Sequence, residues 1–338
     1  MQQEEEAIFK FLNPNDNDKL SKMSGLDLQD LLIYIDKYYL SLRDKLGLDK
    51  NITIGVELEF EKAVKSKIIK KIDQEFPGDI WKIKEERTVP KGAEINSPIL
   101  TDTKENWEDL KKICLIISQF AKIGMHSGGH VHIGTQTLGS DRNSWINFLK
   151  IWSVYENIIF RFSYGNYITG RKTLYEYAMP MAKSFWHYYE KFVSEKTILQ
   201  AMISIIGDNR HQAVNFRKVK DNMYEKYCQD NTIEFRCPNG TLNPIIWQNN
   251  VNLFARLLCY SKSSLFNNDI IDNRHNINQN DYNLLKWYNE IYLEQALEFA
   301  DMIYPTNLDK IYFLKQYLKS FKVSKKTDEY NRTVKLTK

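Results

Sequence analysis

An α+β fold built on an antiparallel sheet is the class this sequence predicts, on three observations. Stretches that alternate with period two lie between stretches of helical spacing, without the regular strand–helix rhythm of a parallel sheet. The 338 residues are 43% apolar and 13% aromatic, enough for a large core. On several strands, the face opposite the apolar residues carries carboxylates, imidazoles, an amide and guanidiniums.

Leu26, Leu28, Leu31, Leu32, Ile35, Tyr38, Tyr39 and Leu42 recur at helical spacing, so residues 1–50 read as a separable helical extension. At Ile54–Phe60 the rhythm becomes period two, a half-buried strand. Ile68, Ile72 and Phe76 predict a helix ended by Pro77-Gly78, and Trp81 and Ile83 begin a short strand. The stripe Trp107, Leu110, Ile113, Ile117 and Phe120 predicts a helix capped by Asp102 or Thr103 and stopped by Gly124. Met125–Gly134, M-H-S-G-G-H-V-H-I-G, holds three of the six histidines and reads as a strand. One long helix is expected over 141–162, closed by Gly165, and another over 184–206. Strands follow near 212–218 and 231–237, then helices over 245–265, 282–302 and 307–322. The Asn-rich stretch 267–280 is the linker candidate. These limits divide the chain into an extension (1–50), a central domain (51–266) and a helical C-terminal extension with a basic tail (267–338).

The longest apolar runs fall far short of the ~20 residues a bilayer needs. The polar, acidic N-terminus is not a secretory signal. Four scattered cysteines without C-x-x-C spacing point to a reduced, cytoplasmic protein. From Lys315 onward, eight basic residues against Asp328 and Glu329 carry +6 of the net +4, leaving −2 on residues 1–314. A nucleic-acid role would rest on that tail alone.

Residues i and i+2 on a strand share a face. The rule sets Glu57 and Glu59 opposite Val56, Leu58 and Phe60. It sets His130 and His132 opposite Val131 and Ile133, Asn215 opposite Val214 and Phe216, Glu234 and Arg236 opposite Ile233 and Phe235, and Lys84 and Glu86 opposite Trp81 and Ile83. Were these strands in one sheet, its polar face would be a dense ligand field. Same-face neighbours lie roughly 6–7 Å apart, so Glu57 and Glu59 can each serve a different ion of a pair ~3.5–4 Å apart. Clustered carboxylates repel unless neutralised, and in this number they suit Mg²⁺ or Mn²⁺. Each pattern alone has a plainer reading: E-x-E a solvated face, E-x-R a cross-strand ion pair, H-x-H a structural pair, Gly128-Gly129 a tight turn. Their joint occurrence is what points to a site.

In their order these segments resemble the amidoligase family, the glutamine-synthetase-like carboxylate–amine ligases. The resemblance rests on G-V-E-L-E-F (55–60), E-R-T-V with G-A-E-I-N-S-P-I-L (86–100), G-G-H-V-H-I (128–133), A-V-N-F (213–216) and T-I-E-F-R-C-P-N-G-T-L (232–242), and covers about 50–265. It implies a curved antiparallel sheet backed by helices, with ATP and divalent cations on its concave face. By position, Glu57, Glu59, Glu86, Glu94, His130 and Glu234 resemble metal ligands, with Glu86-Arg87-Thr88 standing where Asp-x-Ser is usual. His132 lies close to the nucleotide phosphates in this resemblance. Arg236 resembles the arginine that stabilises the transferred phosphoryl group, and Asn215 a phosphate or substrate contact. Arg171, in T-G-R-K-T-L-Y-E-Y-A-M-P, is the weaker match to a further such arginine.

The activity implied is ATP-dependent amide formation through an acyl phosphate, with Arg236, Glu59 and His132 at the chemistry and a carboxylate and an amine as substrates, groups that a peptide or protein can present. Three rivals stay open: a phosphotransferase on the same scaffold, a zinc hydrolase built on His126, His130 and His132, and a non-catalytic binding protein.

Overall fold

A computed structural model describes residues 16–78, 80–194, 211–219, 231–278, 291–319 and 334–337. The described elements make an α+β fold of one six-stranded antiparallel sheet and twelve α-helices.

After a 3₁₀ turn at Leu20–Lys22, helix α1 (Gly25–Lys37) is capped by the Ser24 hydroxyl, which accepts from Asp27 N–H. Strand β1 (Ile54–Phe60) leads to α2 (Lys65–Glu75), then β2 (Lys82–Lys84) and β3 (Ala93–Asn96). Helix α3 (Lys104–Phe120) takes Thr103 as its cap. The alternative, Asp102, accepts instead from Leu46 N–H, Leu48 N–H and the Trp107 indole, tying the N-terminal segment to this helix. Helix α3 ends well before Gly124, whose role lies elsewhere. Strand β4 is Gly129–Gly134.

The expected helix over 141–162 is two helices, α4 (Arg142–Val154) and α5 (Glu156–Ser163), parted at Tyr155 (φ −110°, ψ 19°). The periodicity runs through the break because the residues on both sides of it are buried. Gly165 closes α5 in the left-handed region at φ 63°. A single-turn helix, α6 (Leu174–Tyr177), follows; the helix expected over 184–206 appears as α7 (Ala182–His187) and α8 (Tyr189–Ser194), and its remainder, 195–206, lies outside the described residues. Strands β5 (Val214–Asn215) and β6 (Thr232–Phe235) precede α9 (Pro244–Lys262), which Asn243 caps.

The predicted linker is largely a helix, α10 (Asn268–Asn278). The Asn267 side chain accepts from Ile270 N–H at its start, Ile271 is fully buried, and Lys150 bonds Asp272 at 2.7 Å. Asparagine here acts as a helix cap, not as a breaker. Helices α11 (Leu293–Ile303) and α12 (Asn307–Leu318) complete the described helices; residues 282–290, 320–322 and most of the basic tail lie outside the described residues.

The sheet order is β2-β3-β1-β4-β6-β5, every pair antiparallel. Val131 opposes Phe235 and Ile133 opposes Ile233, so the apolar residues of neighbouring strands share one face. That face packs against helices: the rings of Phe235 and Phe254 stack at 4.1 Å, with Trp152 5.7 Å from Phe235. Each such fully buried ring contributes about 1.5–3 kcal/mol. Leu20, Leu31 and Ile35 from the N-terminal extension, and Phe299 and Phe313 near the other end, join the same core. Asp301 accepts from Leu20 N–H and Ser21 N–H at 2.9 Å, which docks the two ends of the chain together.

Candidate active site

The register decides what the polar face holds. Glu57 opposes His130 on one side and Asn96 on the other; Glu59 opposes Glu94; His132 opposes Glu234, which in turn opposes Asn215. Residues directly opposite in a ladder project to the same side, so side chains far apart in sequence converge. His130 Nδ1 lies 2.8 Å from Glu57 Oε2 and 3.5 Å from Glu234 Oε1. Its Nε2 faces Glu59 Oε1 at 3.7 Å. His132 Nε2 lies 3.0 Å from Glu57 Oε1, out of line for a hydrogen bond, and its Nδ1 is 3.2 Å from the Thr232 hydroxyl.

Two groups of ligand atoms result, Glu57/His130/Glu234 and Glu59/Glu94/His130, the atoms of each within 4.8 Å of one another. The Nε2 atoms of both histidines are buried without a hydrogen-bond partner among the described residues, a state that costs free energy unless something else ligates them. Oxygen-rich sets with one imidazole fit Mg²⁺ or Mn²⁺.

The electrostatics agree. Burial, then the charges of Glu57 and Glu59, push the Glu94 carboxyl up to about 7. Burial works the same way on Glu57, but the hydrogen bond from His130 and the close approach of the His132 ring hold it well below the usual carboxylate range. Glu234 is also lowered, burial being outweighed by His130, His132 and Arg236.

Arg236 donates through Nη1 to Glu234 and through Nε to Tyr177 O at 3.0 Å. Asn215 donates Nδ2–H to Glu234 Oε2 at 2.7 Å and accepts from Arg217 N–H, so it orients the Glu234 carboxylate. Arg171 is buried and donates to Pro238 O and Arg236 O, bracing the strand end that carries Arg236. Glu86 lies beyond the end of β2 and accepts from Thr88 N–H and its hydroxyl; it lines the acid pocket without joining either ligand group. Neither group contains His126 or His132, so no three-histidine zinc set forms among the described residues.

Sequence reasoning passed over several lining groups. Lys218 Nζ stands 3.7 Å from Glu57 Oε1, and Thr173, Tyr177 and His211 line the acid pocket of about 220 Å³. Glu57 is shared with a second cavity of about 200 Å³ lined by Gly55, Asn96, His132, Lys218 and Thr232. Alternation after Val214 would have set Lys218 on the apolar face with Phe216, while Thr173 and Tyr177 bound the single-turn helix α6 and His211 lies on a turn, where no periodicity marks them.

A family model, Amidoligase_2, described as "putative amidoligase enzyme", matches residues 16–258. A search of curated proteins finds no match. No helix among the described residues is long and apolar enough to cross a membrane. The ordered acid, imidazole and guanidinium positions and this match, which spans most of the chain, lead to one assignment: the chain belongs to the amidoligase family, enzymes named for ligase activity.

Proposed function

We propose that this protein is an ATP-dependent carboxylate–amine ligase of glutamine-synthetase-like architecture that works through an acyl phosphate. One observation carries the reading: two carboxylate pairs, Glu57/Glu234 and Glu59/Glu94, flank opposite nitrogens of His130 on one sheet face. A neutral imidazole has one lone pair to give, so His130 serves one of the two groups and the other is all-carboxylate. Divalent cations bound there would neutralise charge on the triphosphate and on the transferred phosphoryl group.

The chain's own residues divide the remaining work. Glu234 and the Tyr177 carbonyl hold the Arg236 guanidinium rigidly beside the carboxylates, where it can meet a transferred phosphoryl oxygen. His132 and Lys218, in the neighbouring cavity, suit the rest of the phosphate chain. A substrate carboxylate oxygen attacks the γ-phosphorus and ADP leaves. The amine nitrogen then attacks the acyl carbon, loses a proton and expels inorganic phosphate.

ATP turnover with a panel of carboxylates and amines, followed by mass spectrometry of the products, tests this. Glu59→Ala and Arg236→Ala should each abolish turnover with folding intact, and wild-type turnover in both refutes the site. A phosphorylated product without an amide identifies a phosphotransferase instead.

A further inference from the structure

The acid stripe of β1 continues past Glu59 to Glu61, whose backbone pairs with Lys122 through two hydrogen bonds. The Glu61 side chain is buried, and its Oε1 accepts from His126 N–H at 2.9 Å. Its carboxyl group lies directly on Gly124, where a Cβ would stand 2.2 Å from the carbon and both oxygens. Two residues earlier on the same face, Glu59 Oε2 accepts from Gly128 N–H. Successive carboxylates of one strand thus hold two backbone N–H groups of a single loop, residues 124–128. Bonds of this kind, with an ionised acceptor, are about twice as strong as neutral ones.

Three segments that carry site residues meet at this loop, β1 being the first. Lys172 N–H donates to Met125 O at 2.7 Å, and Arg171 beside it lies against Gly128, where a Cβ would come within 3.0 Å of the guanidinium carbon. Gly240 N–H donates to Ser127 O at 2.9 Å, which ties in the chain that follows Arg236. The Gly128 bond occupies Glu59 Oε2, and Oε1 is the oxygen that faces His130 Nε2 at 3.7 Å. Where Gly128 stands therefore sets the direction in which Glu59 offers Oε1 to the Glu59/Glu94/His130 group. Near the start of the loop, Glu61 sets where that backbone stands.

We infer that Glu61 is a positioning residue of the cation site, an assignment that rests on the ligase reading above. Glu61 joins neither ligand group. It acts through loop 124–128, whose Gly128 N–H orients the Glu59 carboxylate and whose backbone backs the Arg171 guanidinium. Gly124 belongs to the same device, because any side chain there would push the Glu61 carboxylate off His126 N–H.

The test compares Glu61→Ala with wild type as the folded full chain, well below its melting transition, by two readouts. Hydrogen exchange of the Gly128 amide, followed by NMR without metal, should quicken at least about 10-fold as the loop loosens from Glu59. Mn²⁺ affinity, read by electron paramagnetic resonance, should fall about 10-fold, the low end of the loss when the partner orienting a ligand is removed. Glu61→Gln keeps an oxygen for His126 N–H and should recover most of both. A carboxylate with a merely structural role would lower the melting temperature in Glu61→Ala and leave Mn²⁺ affinity unchanged. Where Glu61→Ala does not fold, Glu61→Asp takes its place, since it keeps the charge and withdraws it by one methylene. Wild-type Gly128 exchange or wild-type Mn²⁺ affinity in the deciding variant, or a glutamine variant no better than that one, overturns the inference and leaves the ligase reading standing. A wild-type protein that binds no Mn²⁺ refutes the cation site of the ligase reading itself, and the inference falls with it.

Discussion

Glu57 and His130 face each other across adjacent antiparallel strands, and their side chains meet at 2.8 Å. The bond fixes the imidazole so that its other nitrogen points at Glu59. A histidine held by a carboxylate on one side and open on the other is the usual way a protein sets the ring of a metal ligand.

That geometry predicts that Glu57→Gln weakens Mn²⁺ binding even though the side chain keeps its shape. A loss of at least about 10-fold is expected, the scale of losses for partners that orient ligands. Electron paramagnetic resonance titration of free Mn²⁺ would measure it. Unchanged affinity in both Glu57→Gln and His130→Ala would remove the cation site from the polar face.

Glu94 opposes Glu59 on the neighbouring strand, with Glu57 also close enough to raise its pKa. Without divalent ions these charges repel, so Glu94→Gln should stabilise the metal-free protein by about 1 kcal/mol. The same variant should gain less from added Mn²⁺ than wild type does. Thermal melts with and without Mn²⁺ read both effects, and equal melting points with and without the substitution count against crowding of charge.

Glu156 gives a pH dependence away from the site. It is fully buried, and burial outweighs three N–H donors, from Met181, Ala182 and the Trp152 indole, to push its carboxyl up to about 7. The folded state therefore binds this proton more tightly than the unfolded chain does. The group costs nothing below the ordinary carboxylate pKa, and stability falls as pH rises from ~4.5 to ~7, by about 3 kcal/mol in all. Glu156→Gln should remove that slope. Urea denaturation of both proteins across the window checks it, and parallel curves would contradict it.

Gly129 tests the packing beneath the histidines. A Cβ there would come within 2.7 Å of the Trp247 ring, which is fully buried and donates its N–H to Thr241 O. Gly129→Ala should cost about 1–3 kcal/mol, the usual cost of overpacking a filled core. Denaturation midpoints measure the loss. Wild-type stability would mean that the ring yields freely.

What was legible in the sequence follows a simple physical line. Alternation read the polar faces of β1, β4, β5 and β6 correctly, because a strand's period of two is fixed by its backbone. It failed where partners come from elsewhere. Gly124 looked like a helix stop and instead makes room for Glu61. Glu86 looked like a sheet residue but caps its own turn. The break at Tyr155 is invisible in hydrophobic spacing that is buried on both sides.

By itself the sequence determined which side chains each strand turns away from the core, and with their order it determined the family. Only the tertiary structure decided which strands lie side by side, and so that Glu57 meets His130 and that Arg236 is held by Glu234. The reason is that alternation is a local property of one backbone, whereas register is set by how the buried faces of different strands fit one common core.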